Sequence, residues 1–235
     1  MNENSIVPIA ARALRYKLRA VVFDLDGVII DSRHQMRMVF RNTLQHHALK
    51  TDDALENSFF SCMGMPLSEI FGKLGLPAEL NGTYKRISRS SLDLAAVFPG
   101  MKDVLLSLKE RGVSLGVITG KDRARTLEAI NYFSLTRYFS TIVCGDDPFP
   151  GKPRPEGLTW VLGQMAVDPQ YAALVGDSPL DIACARSAGV FAAGAGWGFS
   201  TIAELQAAGA QVFPTVAELT LWLTDSIQAR AQGTS

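Results

Sequence analysis

The chain has 235 residues, 47% of them hydrophobic, with 23 lysines and arginines against 23 aspartates and glutamates. That is enough apolar material for one large domain or two unequal ones, and the balanced charge gives no field that would attract nucleic acid or an anionic membrane. Cys62, Cys144 and Cys184 are odd in number and widely spaced, which excludes a disulfide framework and points to a reducing, cytoplasmic setting.

Residues 1–17 carry Arg12, Arg15 and Lys17, but their apolar stretch is too short and interrupted for a secretory signal. No run of about 20 apolar residues offers a membrane span. The first structured element is a strand over Leu18–Phe23, where β-branched and aromatic residues crowd a short apolar run. It delivers Asp24 and Asp26, two residues apart, onto a turn at Gly27. Two carboxylates about 4 Å apart repel by roughly 4 kcal/mol at an effective dielectric near 20, and a hard cation such as Mg²⁺ would compensate them. A pair of solvated turn aspartates fits the same letters.

From about Ser32 to Val97 helix formers with apolar periodicity replace β-branched runs, with breaks at Gly64, Gly72 and Gly75. This segment reads as a helical module inserted after the first strand. Met63–Leu67 within it fits either a loop facing the site or a break between helices. After position 98 strands and helices alternate as βαβ units. Met101, Val104, Leu105 and Leu108 mark a helix that Gly112 closes, Val113–Ile118 is a strand, and a helix over Arg123–Tyr132 leads to a strand over Thr141–Cys144. Leu158, Val161, Leu162 and Met165 mark another helix, followed by strands Ala173–Gly176 and Val190–Ala195. The fold class is therefore α/β, with a parallel Rossmann-like sheet and a small helical module.

Three further motifs fall at strand ends. Thr119–Gly120 offers a hydroxyl and a backbone N–H without a neighbouring Cβ, although a plain strand-to-helix turn explains it equally. In Gly151-Lys152-Pro153-Arg154-Pro155 the prolines stiffen the backbone around one lysine, which becomes either a positioned charge for a phosphoryl oxygen or one more solvated lysine. Gly176-Asp177-Ser178-Pro179-Leu180-Asp181 ends a buried strand and starts a helix at Pro179. Asp177 and Asp181, four apart, share a side if the turn is helical, or simply complement the helix dipole.

Taken together, Asp24-Leu25-Asp26-Gly27, Thr119-Gly120, Lys152 and Asp177 to Asp181 resemble the four motifs of the haloacid dehalogenase superfamily of phosphatases, over about residues 18–224. The resemblance implies a discontinuous core of residues 18–31 and 98–224, a cap of residues 32–97, and terminal extensions at 1–17 and 225–235. It implies Asp24 as nucleophile and Asp26 as acid and base, with Leu25, Thr119, Gly120 and Lys152 holding phosphate. Mg²⁺ would sit on Asp24, the Asp26 carbonyl and Asp177, with Asp181 orienting Lys152 or a metal-bound water.

Asp26 argues against the dehalogenase branch, because displacing a halide needs no acid. The fourth motif and the Gly196-Trp197-Gly198 and Ala203-Glu204-Leu205 segments are similar to phosphoglycolate phosphatases, whereas β-phosphoglucomutases place Glu-Asp at Gly176-Asp177. A phosphomutase, a phosphatase of an antibiotic pathway and a non-catalytic phosphate-binding module remain as alternatives. The partner expected is a small phosphomonoester, acted on by a monomer or homodimer. Arg33, Arg37, Arg41, Lys85 and Arg86 are candidates for reading the leaving group, or a solvated helix face.

Overall fold

The computed structural model describes residues 17–228. The readings made of residues 1–16 and 229–235 lie outside the described residues. In chain order the elements are β1 (Ala20–Phe23), β2 (Ile30–Asp31), α1 (Arg33–His46), α2 (Asp53–Phe60), α3 (Leu67–Lys73), α4 (Leu80–Arg89), β3 (Ala96–Val97), α5 (Met101–Glu110), β4 (Ser114–Ile118) and α6 (Arg123–Tyr132). They continue with β5 (Thr141–Val143), α7 (Glu156–Gln164), β6 (Ala172–Gly176), α8 (Pro179–Ser187), β7 (Phe191–Ala195), α9 (Ile202–Ala207), β8 (Gln211–Phe213) and α10 (Val216–Gln228).

Six strands form one parallel sheet in the order β5-β4-β1-β6-β7-β8. β1 is central and fully buried, so its side chains alternate between two covered faces. Val21 and Phe23 join the core under α5, α6 and α10, whereas Ala20 and Val22 join the core under α7 and α8. From β1 the chain proceeds to β4 and β5 on one side, then returns to build β6, β7 and β8 on the other. The carboxyl ends of β1 and β6 therefore flank the topological switch point, the usual place for a ligand in an open α/β sheet.

Helices α1 to α4 build a third core of their own. Phe40 stacks on Phe59 at 4.3 Å between centroids, and Tyr84 meets Phe59 and Phe71 at 6.0 and 5.7 Å. Such aromatic pairs add to plain area burial, which gives a small module a nucleus without a sheet. A two-stranded antiparallel ladder, Ile30 opposite Val97 and Asp31 opposite Ala96, ties the two connections of this module together. The sequence reading lacked this ladder, because two residues per strand are too few to show a period.

The other differences concern edges and ends. β1 starts at Ala20 rather than Leu18, and β5 stops at Val143 rather than Cys144. β8, α9 and α10 were not predicted; β8 has three residues and pairs with β7 alone, so its apolar signal is short. The segment from Asp225 is not all extension: α10 runs through it to Gln228, with Ile227 buried in the core. The three thiols are buried and unpaired.

Candidate active site

The four motifs predicted at strand ends lie around the switch point. Asp24 follows β1, and its N–H donates to the Val175 carbonyl of β6 at 2.9 Å. Its Oδ1 accepts the Leu25 N–H at 2.7 Å and lies 3.2 Å from Lys152 Nζ. Lys152 Nζ also reaches Asp181 Oδ1 at 2.5 Å and the Ile118 carbonyl at 3.4 Å. Asp181 Oδ2 accepts from the Ser178 N–H at 3.0 Å and the Ser178 hydroxyl at 2.5 Å, closing a capping box at the start of α8. Asp181 thus has both oxygens engaged and orients the lysine. The side chains of Lys152 and Asp181 are 2% and 0% exposed, which makes this a desolvated ion pair and not one of many surface lysines.

Asp177, after β6, accepts the Phe199 N–H on Oδ2 at 2.7 Å. Gly27 sits against that carboxylate with φ +81°; a Cβ there would be 2.1 Å from Asp177 Oδ2. Only glycine fits both the backbone conformation and the space. Oxygens of Asp24, Asp177 and Asp181 lie within 4.8 Å of one another. Asp24 Oδ2 and Asp177 Oδ1 have no hydrogen-bond partner among the described residues.

Three carboxylates therefore share one ammonium in a buried place. Burial pushes the Asp24 carboxyl up to about 7, against the pull of Lys152 and with added repulsion from Asp181 and Asp26. Burial, then Asp24 and Asp181, raise the Asp177 carboxyl well above the usual range. Excess negative charge, two carboxylate oxygens without partners and an all-oxygen donor set fit a hard divalent cation. The loop after β1 is compatible with a carbonyl ligand: Ile29 and Ile30 donate to Leu25 O and Gly27 donates to Ile30 O, leaving the Asp26 carbonyl out of the turn.

Asp26 faces the cleft, where its Oδ1 is 2.9 Å from Lys121 Nζ. Lys121 is 8% exposed and was not singled out from sequence, although Thr-Gly-Lys at a strand end offered the signal. Its N–H donates to Thr119 Oγ1 at 3.2 Å, so the hydroxyl organises the turn that aims the lysine. Thr119 is 5% exposed and its N–H donates to Val143 O at 3.0 Å. Gly120 packs under the α2–α3 loop; a Cβ would lie 2.5 Å from Met65 O. Met63–Met65 is therefore both a break between helices and a wall of the site.

A partly open cleft lies between the strand ends and the insert. Asp24, Asp26, Thr119, Gly120 and Lys121 form its floor, with Phe59, Tyr84 and Arg125 on its walls. None of Arg33, Arg37, Arg41, Lys85 and Arg86 lines it. Arg37 and Arg41 pair with Glu56, Lys85 lies 3.5 Å from Asp122, Arg33 stacks over Phe199 at 4.8 Å, and Arg86 is exposed. Arg154 pairs on the surface with Glu156.

A parallel sheet with an acid pair at its switch point, a buried lysine and a helical insert defines a class of α/β hydrolases. The chain belongs to the haloacid dehalogenase-like hydrolase family, whose profile matches residues 21–195. It is 30% identical to a phosphoglycolate phosphatase of Rhodospirillum rubrum, over 87% of this chain and 90% of that protein. It is also 30% identical to the pyrophosphatase PpaX of Bacillus pumilus, over 77% of this chain and 84% of that one. Among solved structures, a haloacid dehalogenase-like hydrolase from Bacteroides fragilis superposes with a TM-score of 0.79 at 27% identity, covering 86% of this chain and all of that one. The chain is therefore an enzyme of this family, and no helix among the described residues is long and apolar enough to cross a membrane.

Proposed function

We propose that the protein hydrolyses small phosphomonoesters with Mg²⁺ through a phosphorylated Asp24. The observation that carries this reading is the buried Asp24–Lys152–Asp181 chain beside Asp177, opening onto a cleft where Asp26 stands ready. An Asp24 oxygen attacks phosphorus and the bond to the leaving oxygen breaks, while Asp26 supplies the proton that oxygen needs. Asp26 then takes a proton from water, which attacks the phosphoaspartate and frees Asp24 and phosphate. Lys152, the Thr119 hydroxyl and the Gly120 N–H bind phosphoryl oxygens as charge moves onto them. A cation held by Asp24, the Asp26 carbonyl and Asp177 would offset repulsion between the anionic nucleophile and anionic substrate.

Asp181 acts through Lys152, holding its ammonium against Asp24. The insert, residues 32–97, serves as a cap that excludes water from the cleft and contacts the leaving group. The phosphatase names among the relatives support the phosphoryl chemistry. Three buried, unpaired thiols support a reducing, cytoplasmic setting. The test is release of inorganic phosphate from phenyl phosphate with Mg²⁺, by the natural protein and by Asp24→Asn. The variant is nearly isosteric, so it should fold and lose at least about a thousandfold in kcat. Normal turnover in that variant would defeat the nucleophile assignment, and isomerised sugar phosphate with little free phosphate would point to a mutase.

A further inference from the structure

The cleft walls carry two polar groups that the hydrolytic steps do not use. Tyr84, on α4 of the insert, is 1% exposed, lines the cleft, and its hydroxyl has no hydrogen-bond partner among the described residues. Burial, with Asp26 nearby, holds its phenol far above the usual range, so it stays a neutral donor. Arg125, on α6 of the core, is 6% exposed and lines the same cleft. Its Nε donates to Asp122 Oδ2 at 2.6 Å and its guanidinium lies 5.5 Å from the Tyr84 ring centroid. Its two Nη groups have no hydrogen-bond partner among the described residues. A nearly buried guanidinium with two idle N–H₂ groups beside an idle phenol is a built donor pair for an acceptor oxygen.

Other side chains lining the cleft are apolar: Met36, Phe59, Met63 and Phe199. The cations are already matched, Lys121 by Asp26 and Arg125 by Asp122. One guanidinium already shared with Asp122 suits a single carboxylate better than a doubly charged departing phosphate, and the methionine and phenylalanine faces favour carbon. We infer that Tyr84 and Arg125 are specificity-determining residues, and that the preferred leaving group is an organic alcohol with an apolar body and a carboxylate or similar acceptor oxygen at its far end. This inference rests on the phosphatase reading above and adds the leaving-group class to it.

The test measures kcat and KM for phenyl phosphate, the three carboxyphenyl phosphates and pyrophosphate. At least one carboxyphenyl ester should exceed phenyl phosphate by about tenfold in kcat/KM, mainly through KM, since a charge-assisted hydrogen bond is strong in a dry site. Phenyl phosphate should in turn exceed pyrophosphate. Tyr84→Phe keeps the ring packing and should cut the carboxylate advantage about fivefold, while Arg125→Lys keeps the pairing with Asp122 and loses the fork, with the same direction of effect. Pyrophosphate equal to or better than phenyl phosphate, no gain from any carboxylate, or equal losses on both esters in Tyr84→Phe would each overturn the inference and leave the phosphatase reading standing. Phosphate release from none of the substrates would overturn the phosphatase reading itself, and this inference with it.

Discussion

The two sides of the cleft are built on opposite principles. On the sheet side, charged groups sit at the ends of buried parallel strands, each held by several fixed partners: Lys152 touches Asp24, Asp181 and Ile118 O. On the insert side, the cleft is faced by aromatic and thioether side chains, and the helix arginines Arg37 and Arg41 pair with the buried Glu56 instead of lining the cleft. A like-charge cluster needs a rigid, dry frame to hold it, and strand ends supply one. A surface that fits a leaving group needs shape, which packed rings supply. On the proposed reading, chemistry and selectivity are thus separated by the cleft, with Arg125 and the Thr119–Lys121 turn on the core side reaching toward both.

Four experiments would break or sharpen that contrast. Lys152→Met leaves Asp24 and Asp181 buried without their cation, so unfolding in urea at pH 8 should show a loss of about 3–5 kcal/mol, with phosphate release abolished. A smaller loss would mean that the strand ends tolerate unpaired charge. Gly27→Ala forces a Cβ against Asp177 at a positive φ and should cost about 1–3 kcal/mol, together with weaker Mg²⁺ binding by calorimetry. Unchanged Mg²⁺ affinity would remove Asp177 from the cation site.

Chelation should expose the cluster's own pH dependence. Asp24 has a folded-state pKa of about 7, above its ordinary 3.8, so between those values the folded protein holds a proton that the unfolded chain has lost. Stability of the cation-free protein is therefore fully present below about pH 4 and falls as pH rises to 7, by up to about 1.4 kcal/mol per unit for one group. Thermal melts in EDTA should show this decline, and Mg²⁺ should raise the melting temperature more at pH 8 than at pH 5. A cation effect independent of pH would contradict it. The smallest effect on turnover belongs to Arg37→Ala with Arg41→Ala, which should leave kcat/KM for phenyl phosphate within about twofold, since neither arginine lines the cleft, while stability falls because Glu56 is left buried without its partners. A large loss would return those arginines to the cleft.

The strand-end half of the site was legible in the sequence, because a parallel strand is a local apolar run that stops where its ligand residue begins. Asp24, Thr119 and Asp177 each follow such a run directly, and Lys152 was marked by its prolines. Lys121 was legible in part: it stands next to Thr119–Gly120, but nothing local says that its ammonium reaches Asp26, distant in sequence. Tyr84 and Arg125 carried no signal. A tyrosine on an amphipathic helix reads as core, and an arginine three residues after Asp122 reads as a surface pair.

By itself the sequence determined the alternation of strands and helices, the central strand and the residue types at its ends, since propensity and periodicity act over a few neighbours. Only the tertiary structure decided which way the insert faces, which of its side chains enter the cleft, and which carboxylates share Lys152. Those outcomes depend on long-range packing of α1 to α4 over the switch point, where positions far apart in the chain become adjacent. No local period encodes that.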